Sequence, residues 1–329
     1  MWINGDLAAT PRHDDGFDIA RVPVRVRQEE KRTRMYHAIA LNIVLGLLWA
    51  TLGIIMSSVA RRGESILFFY AVGSLLVALA GWTVVVDWEV LLAGDAPRLG
   101  NLLLAVAIAG GVNGLAQFLM VSTMRRGHQG VTWAIGQSAM VIPFVASVII
   151  WHEEAPMHRW LGITLLVTAI MLMGWRRNHE KAELSSDPAW FWFALLTLCV
   201  IGTSQVAAGI PSRWPDWSDA ANLRMPVFVT AGAFVHSTVL MARRMKVSGG
   251  AVKLALPWAG VAVVAYLILF KCLDWMGEYG LVGIVYPIGI GTCIVAFSLY
   301  SGLRLREKFT PAICVGLVLA VAGIALIAL

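Results

Sequence analysis

The chain has 329 residues, of which 58% are hydrophobic and only 14% charged, and its mean hydropathy is +0.73. A soluble domain carries about 25% charged residues, so this composition excludes a soluble globular fold and points to an integral membrane protein. The formal net charge of +6 does not mark a nucleic-acid binder, because the basic residues stand mostly in pairs at the ends of apolar blocks, where lysine and arginine flank membrane spans.

Residues 1–34 are polar and mixed in charge, with no apolar run. They are therefore not a signal peptide. They read either as a disordered tail or as a segment upstream of a true start at Met35, since Met35-Tyr-His-Ala-Ile enters the first apolar block at once. From there the fold class is all-α integral membrane, with ten transmembrane helices, because a block of about 20 apolar residues crosses a bilayer as a helix. The spans fall at 36–60, 65–86, 101–124, 131–151, 158–175, 189–210, 225–242, 254–273, 279–300 and 310–328. A charged, turn-rich connector, 176–188 (RRNHEKAELSSDP), separates 35–175 from 189–329, five spans in each half.

The halves resemble each other. A shift of 154 positions sets Glu153 on Glu307, Gly162 on Gly316, Ser138 on Thr292 and Ser147 on Ser301. A unit with an odd number of spans inserts upside down relative to its copy. Such inverted repeats build secondary transporters, with the site at the mid-membrane repeat interface. Beyond residue 34, loops after the odd spans hold fourteen lysines and arginines; the remainder holds only Arg98, Arg159, Arg213, Arg224 and Lys271. The positive-inside rule puts the first group in the cytoplasm, while the basic residues before Met35 argue the opposite. Of fourteen tryptophans, eleven (Trp258 among them) fall near block ends, as an interfacial belt does; Trp49 and Trp133 lie well inside blocks.

A polar group left unpaired in a bilayer costs several kcal/mol, so it must face protein or a water-filled cavity. Residues four apart share a helix face. Asn42, Gly46, Trp49 and Gly53 form one stripe in the first span, Asn113 and Gln117 another in the third. Trp133 and Gln137 share a face in the fourth, with Ser138 beside them; Gly202, Gln205 and Gly209 share one in the sixth. Tyr266, Tyr286 and Thr292 add polar groups from the eighth and ninth spans. These side chains are the candidate substrate-binding set: amides, hydroxyls and aromatic faces suit a neutral polyhydroxylated or a zwitterionic small molecule. The same spacing also serves close helix packing, with amides bonded across interfaces. His236, deep in the seventh span, is either a proton relay or a packed neutral ring. Pro143 and Pro287 can kink or break their helices. Arg224, opening the seventh span, is expected to snorkel to the surface.

No Asp or Glu lies mid-span, as a proton-coupled exporter of cationic amines needs. The sequence has no Gly-Lys-Ser/Thr phosphate loop, no nucleophile–base pair and no metal-ligand spacing. Cys199, Cys272, Cys293 and Cys314 read as small packing residues. No cofactor or metal is expected.

The ten spans, the five-plus-five repeat and the endings WHEEAPMHRWLG and LRLREKFTPAICVG resemble the drug/metabolite transporter (DMT) superfamily and its EamA-like ten-helix transporters. The segments GVTWAIGQSAMVIPFVASVIIWHEE and GIIMSSVARRG are most similar to the sugar-uptake branch, the glucose/ribose and rhamnose porters. The resemblance covers Met35 to Leu329 and implies that Trp49, Gln137 and Gln205 face a central cavity. Arg224 departs from that branch, which tends to have an uncharged amide there.

The expectation is a multi-pass carrier of the cell (inner) membrane that moves a small neutral polar metabolite, a sugar on this resemblance, by alternating access. Its partners would be that substrate, the lipid bilayer and a coupling proton or sodium ion, with no nucleic acid. An exporter of amino acids or other metabolites is the alternative. A membrane-embedded enzyme would need clustered His, Asp or Glu at one face; a sensor would need an output domain.

Overall fold

The computed structural model describes residues 24–94, 98–124, 129–179, 189–214, 218–244, 248–304 and 310–329. Among these the regular elements are helices only: α1 (Val24–Arg61), α2 (Ile66–Ala80, continued by a π-turn at Gly81–Val85), α3 (Trp88–Ala93), α4 (Leu99–Met124), α5 (Gln129–Gln137), α6 (Val141–Trp151), α7 (Met157–His179), α8 (Trp190–Gly209), α9 (Arg224–Ala242), α10 (Gly249–Gly277), α11 (Val285–Arg304) and α12 (Pro311–Ala328). Nine helices among the described residues are long and apolar enough to cross a membrane; the apolar stretch of α7, Met157–Met173, is shorter. The protein is an all-α, multi-pass membrane protein.

Several helix ends follow from local chemistry. Ser65, Ser248 and Thr310 cap α2, α10 and α12 by accepting the amides of Phe68, Ala251 and Ile313. That is the usual hydroxyl cap on an orphan N–H. Pro311 follows its cap at the position where a missing amide costs nothing. Pro143 has no N–H and crowds the carbonyl four residues back. The fourth span is accordingly broken by a 3-10 turn at Ser138–Met140, between α5 and α6. Pro287 produces no such kink: it lies in the first turn of α11, where proline is tolerated.

Two boundaries differ from the sequence expectation. Helix α1 begins at Val24, so residues 24–32 are helical and lead into the first span, which starts at Thr33; residues 1–23 of the expected tail lie outside the described residues. Helix α10 begins at Gly249, which carries Trp258 into its interior. Its indole is buried against Phe69 and Tyr70 and over Gly73, so it belongs to the core and not to the interfacial belt. Residues 180–188 of the connector and Glu307, read as the counterpart of Glu153, lie outside the described residues, and nothing is described of the Ser301 side chain.

Close crossings depend on small residues, as they do where lipid gives helices no hydrophobic reason to associate. Helices α1 and α11 cross at Gly46, where the Thr292 side chain fills the gap. Helix α4 meets α9 at Gly110, and a Cβ there would sit 2.0 Å from the Phe228 carbonyl oxygen. Helices α7 and α12 meet at Gly162 against the Gly323 carbonyl and at Gly316 against the Ala169 carbonyl. Beyond these pairs, α1 packs on α10, α4 on α8, α2 on α9 and α10, α5 on α7, α6 on α8, and α11 on α12.

Gly110→Ala must push two backbones apart, whereas Gly111 has open space around it. The first substitution is expected to destabilise by about 1–3 kcal/mol, as overpacking does. Gly111→Ala should be neutral or stabilising by about 0.4–1 kcal/mol. Thermal unfolding of the two purified variants in detergent checks this.

Candidate functional site

Trp49, on the stripe of α1, stacks on Tyr286 in the first turn of α11, with ring centroids 6.3 Å apart and planes inclined by 14°. The close approach is possible because Gly289, one turn on, has no side chain where the Trp49 ring passes. Asn42, two turns before Trp49, fixes the same pair of helices by donating to the Val285 carbonyl at 2.8 Å. Tyr266 of α10 packs on Phe228 of α9 and meets the Asn113 side chain of α4. Trp49 and Tyr286 thus pair between α1 and α11, and Asn113 and Tyr266 between α4 and α10.

Gln117 follows Asn113 by one turn. Its side-chain oxygen is buried with no hydrogen-bond partner among the described residues, and the same is true of Gln205 on α8. The two helices are held side by side by hydroxyls. Ser204 donates to the Ala109 carbonyl at 2.9 Å, and Thr123 and Thr197 are 3.3 Å apart. An unpaired acceptor costs several kcal/mol in an apolar surround. Two of them, on adjacent helices, are what a ligand's hydroxyl or ammonium groups would complete.

Most of the other expected site residues are engaged elsewhere. Ser138 donates back to the Ala134 carbonyl at 2.9 Å. Thr292 fills the α1–α11 crossing at Gly46. Trp133 packs against the hydrophobic core. Gln137 ends α5 next to the 3-10 turn and is half-buried. His236 is buried, with Nδ1 3.1 Å from the Ser74 hydroxyl and its ring stacked on Tyr70 at 5.6 Å. That arrangement suits the packed-ring reading.

The fold resembles those of solved proteins. One crystal structure superposes with a TM-score of 0.66, covering 88% of this chain and 96% of that one at 16% identity. Sixteen chains of solved structures match in all. No family model and no curated protein matches the sequence. At this identity the likeness shows a shared fold.

The sequence reading missed two arginine clusters at one end of the bundle. Arg224 does not snorkel: it is fully buried. It pairs with Asp274 at the C-terminal end of α10, lies 4.5 Å over the Phe270 ring, and donates to the Ser212 hydroxyl at 3.0 Å and the Ala208 carbonyl at 2.6 Å. Arg213 donates to Glu153 Oε1 at 2.6 Å, to the Ser147 hydroxyl at 2.5 Å and to the Gly209 carbonyl at 3.0 Å, above the Trp151 ring. Burial pushes the Arg213 guanidinium below its ordinary value, and the Glu153 carboxylate works against that shift. The cause lies in α8. Pro211 follows the helix and offers no N–H, so the last carbonyls of α8 need outside donors, and the two arginines supply them. One signal was available: Arg213 and Arg224 stand among the few cations of the weakly basic loops, which also hold Glu153 and Asp274.

Removing one partner of a buried pair leaves an uncompensated charge and costs about 3–5 kcal/mol. Arg224→Met is therefore expected to lower the yield and melting temperature of folded protein sharply. The double variant Arg224→Met/Asp274→Asn should recover part of the loss. Size-exclusion yield and thermal unfolding read both.

Proposed function

We propose that this chain is a secondary transporter of the drug/metabolite type, carrying a small neutral polar metabolite between two inverted five-helix halves by alternating access. The observation that carries this reading is that the buried amide oxygens of Gln117 and Gln205, on the neighbouring helices α4 and α8, have no partner among the described residues, Gln117 standing one turn from the Asn113 side chain that meets Tyr266. The two amides carry no charge for a ligand to neutralise, so a polyol or sugar suits them, with its hydroxyls donating to the amide oxygens. The half-buried Gln137 is a further amide of the proposed site. A coupling proton or sodium ion and residence in the cell membrane belong to the same proposal.

The helix pairings support two related halves, 35–175 and 189–329. Counting α5 and α6 as one span, adding five to each span number turns one pairing into another. The first span on the eighth answers the sixth on the third; the third on the seventh answers the eighth on the second. The α7–α12 crossing follows the 154-residue shift in detail: Gly162 against Gly323 becomes Gly316 against Ala169. The spacing of Gly46, Trp49 and Gly53 repeats as Gly202, Gln205 and Gly209. The tenth crossing is α7, whose apolar stretch is shorter than the others.

Gln205→Leu separates substrate contact from packing. Because the Gln205 oxygen has no protein partner, the substitution should leave the melting temperature unchanged or raised. A lost polar contact to ligand should weaken binding by roughly 1–3 kcal/mol, about 5- to 150-fold in Kd. Titration calorimetry against a panel of sugars and amino acids reads this. A lowered melting point with unchanged affinity would remove Gln205 from the site.

The lysine and arginine bias places Arg243 and Arg304 in the cytoplasm and Glu154 outside. In a variant lacking the native cysteines, cysteine at Arg243 or Arg304 should resist an impermeant thiol reagent in intact cells. Cysteine at Glu154 should react. The reverse pattern would invert the orientation.

A further inference from the structure

We infer that the Glu153–Arg213 pair is the latch of a gate that closes this end of the bundle between the two halves, and that the structure holds it shut. This rests on the transport reading. The pair joins the halves directly. Glu153 and Ser147 come from the first half; Arg213, Gly209 and Gly283 come from the second. Glu153 uses both oxygens, Oε1 toward Arg213 and Oε2 toward the Gly283 amide at 2.9 Å, so one carboxylate ties the α6 end to the α8–α9 connection and to the start of α11.

The backbone presents that carboxylate deliberately. Helix α6 ends on His152 in the left-handed region, φ 54°, a conformation side chains seldom adopt. The amides of His152 and Glu153 both donate to the Ser147 carbonyl, which turns Glu153 back toward Arg213. The Ser147 hydroxyl then accepts from the same guanidinium. One short segment therefore both aims the acid and braces its partner. The Glu153 and Arg213 side chains are only 9% and 10% exposed.

The second arginine cluster has a different reach. Arg224, Asp274, Ser212 and Ala208 all belong to α8, α9, α10 and the α8–α9 connection. They lie within one half and form a fixed wall. Of the two arginine clusters, that of Glu153 is the one that has to separate if the halves rock apart at this end. A charge pair suits that task. Bringing two ions out of water costs nearly what their attraction returns, so shut and open states stay close in free energy, where an apolar seal would favour the shut state alone. At the opposite end, among the described residues, Glu64 accepts from Ser248 at the N-terminus of α10. Gly250 lacks the Cβ that would overlap the Glu64 carboxylate. That contact also joins the halves, but without a cation.

Accessibility of a cysteine just beneath the latch tests this without any substrate. Ile284 is buried in the turn between Gly283 and α11. In purified protein lacking the native cysteines, Ile284→Cys should react slowly with an impermeant thiol reagent. Adding Glu153→Gln should speed labelling by about tenfold or more, because losing the ion pair shifts the population toward the open state. Ser147→Ala, which removes one bond and no charge, should give a smaller increase. Unchanged labelling in a folded Glu153→Gln protein would overturn the latch. If Glu153→Gln does not fold, unchanged labelling in Ser147→Ala overturns it. Failure of the wild-type protein to bind or move any compound would leave a faster-labelling result standing and would fall on the transport reading instead.

Discussion

Water is absent from most of the surface these helices bury, so each polar atom must find a partner in the protein or in a ligand. This constraint orders the whole structure. Backbone groups are met inside the helices. Hydroxyls are met locally, as when Thr51, Thr164 and Thr168 donate to carbonyls four residues back. The orphaned carbonyls at the end of α8 are met by two arginines, which in turn require two acids. Few atoms are left over, and the amide oxygens of Gln117 and Gln205 are among them.

The distribution of charge follows from the same cost. Charged side chains that enter the bundle do so at its ends, where each can be paired: Arg213 with Glu153, Arg224 with Asp274, and Glu64 with a hydroxyl at a helix N-terminus. The middle is left to indole, phenol and amide groups, whose burial is cheaper and whose hydrogen bonds have direction. Strong, reversible contacts thus hold the ends, and weaker directional ones are available at the centre. An alternating-access carrier needs that division, since its ends must open in turn while its centre recognises a ligand in both states.

Much of this was legible in the sequence. Apolar block lengths gave the helices, and Pro143 foretold the break in the fourth span. The stripe through Asn42, Gly46 and Trp49 marked a packed face that the structure finds against α11. What could not be read was partnership. Whether Arg224 snorkels or turns inward depends on Asp274, fifty positions away, and on a gap in hydrogen bonding at Ala208 that exists only once Pro211 has ended α8. Whether a polar side chain serves a ligand or its own helix is equally invisible: Ser138 and Gln205 looked alike as polar residues in apolar blocks, yet one is satisfied by Ala134 and the other has an oxygen to spare. Trp258 was misplaced for a simpler reason, since glycines 249 and 250 obscured where α10 begins.

Flux across a sealed bilayer bears most directly on the central claim that the spare central amides serve a transported molecule. Purified protein in liposomes should exchange at least one labelled sugar or other neutral polar metabolite against an internal pool of the same compound. That exchange should fall in Gln117→Leu and Gln205→Leu proteins of undiminished stability. No exchange of any compound across a panel of sugars, polyols and amino acids, by protein shown to be folded and inserted, would contradict it.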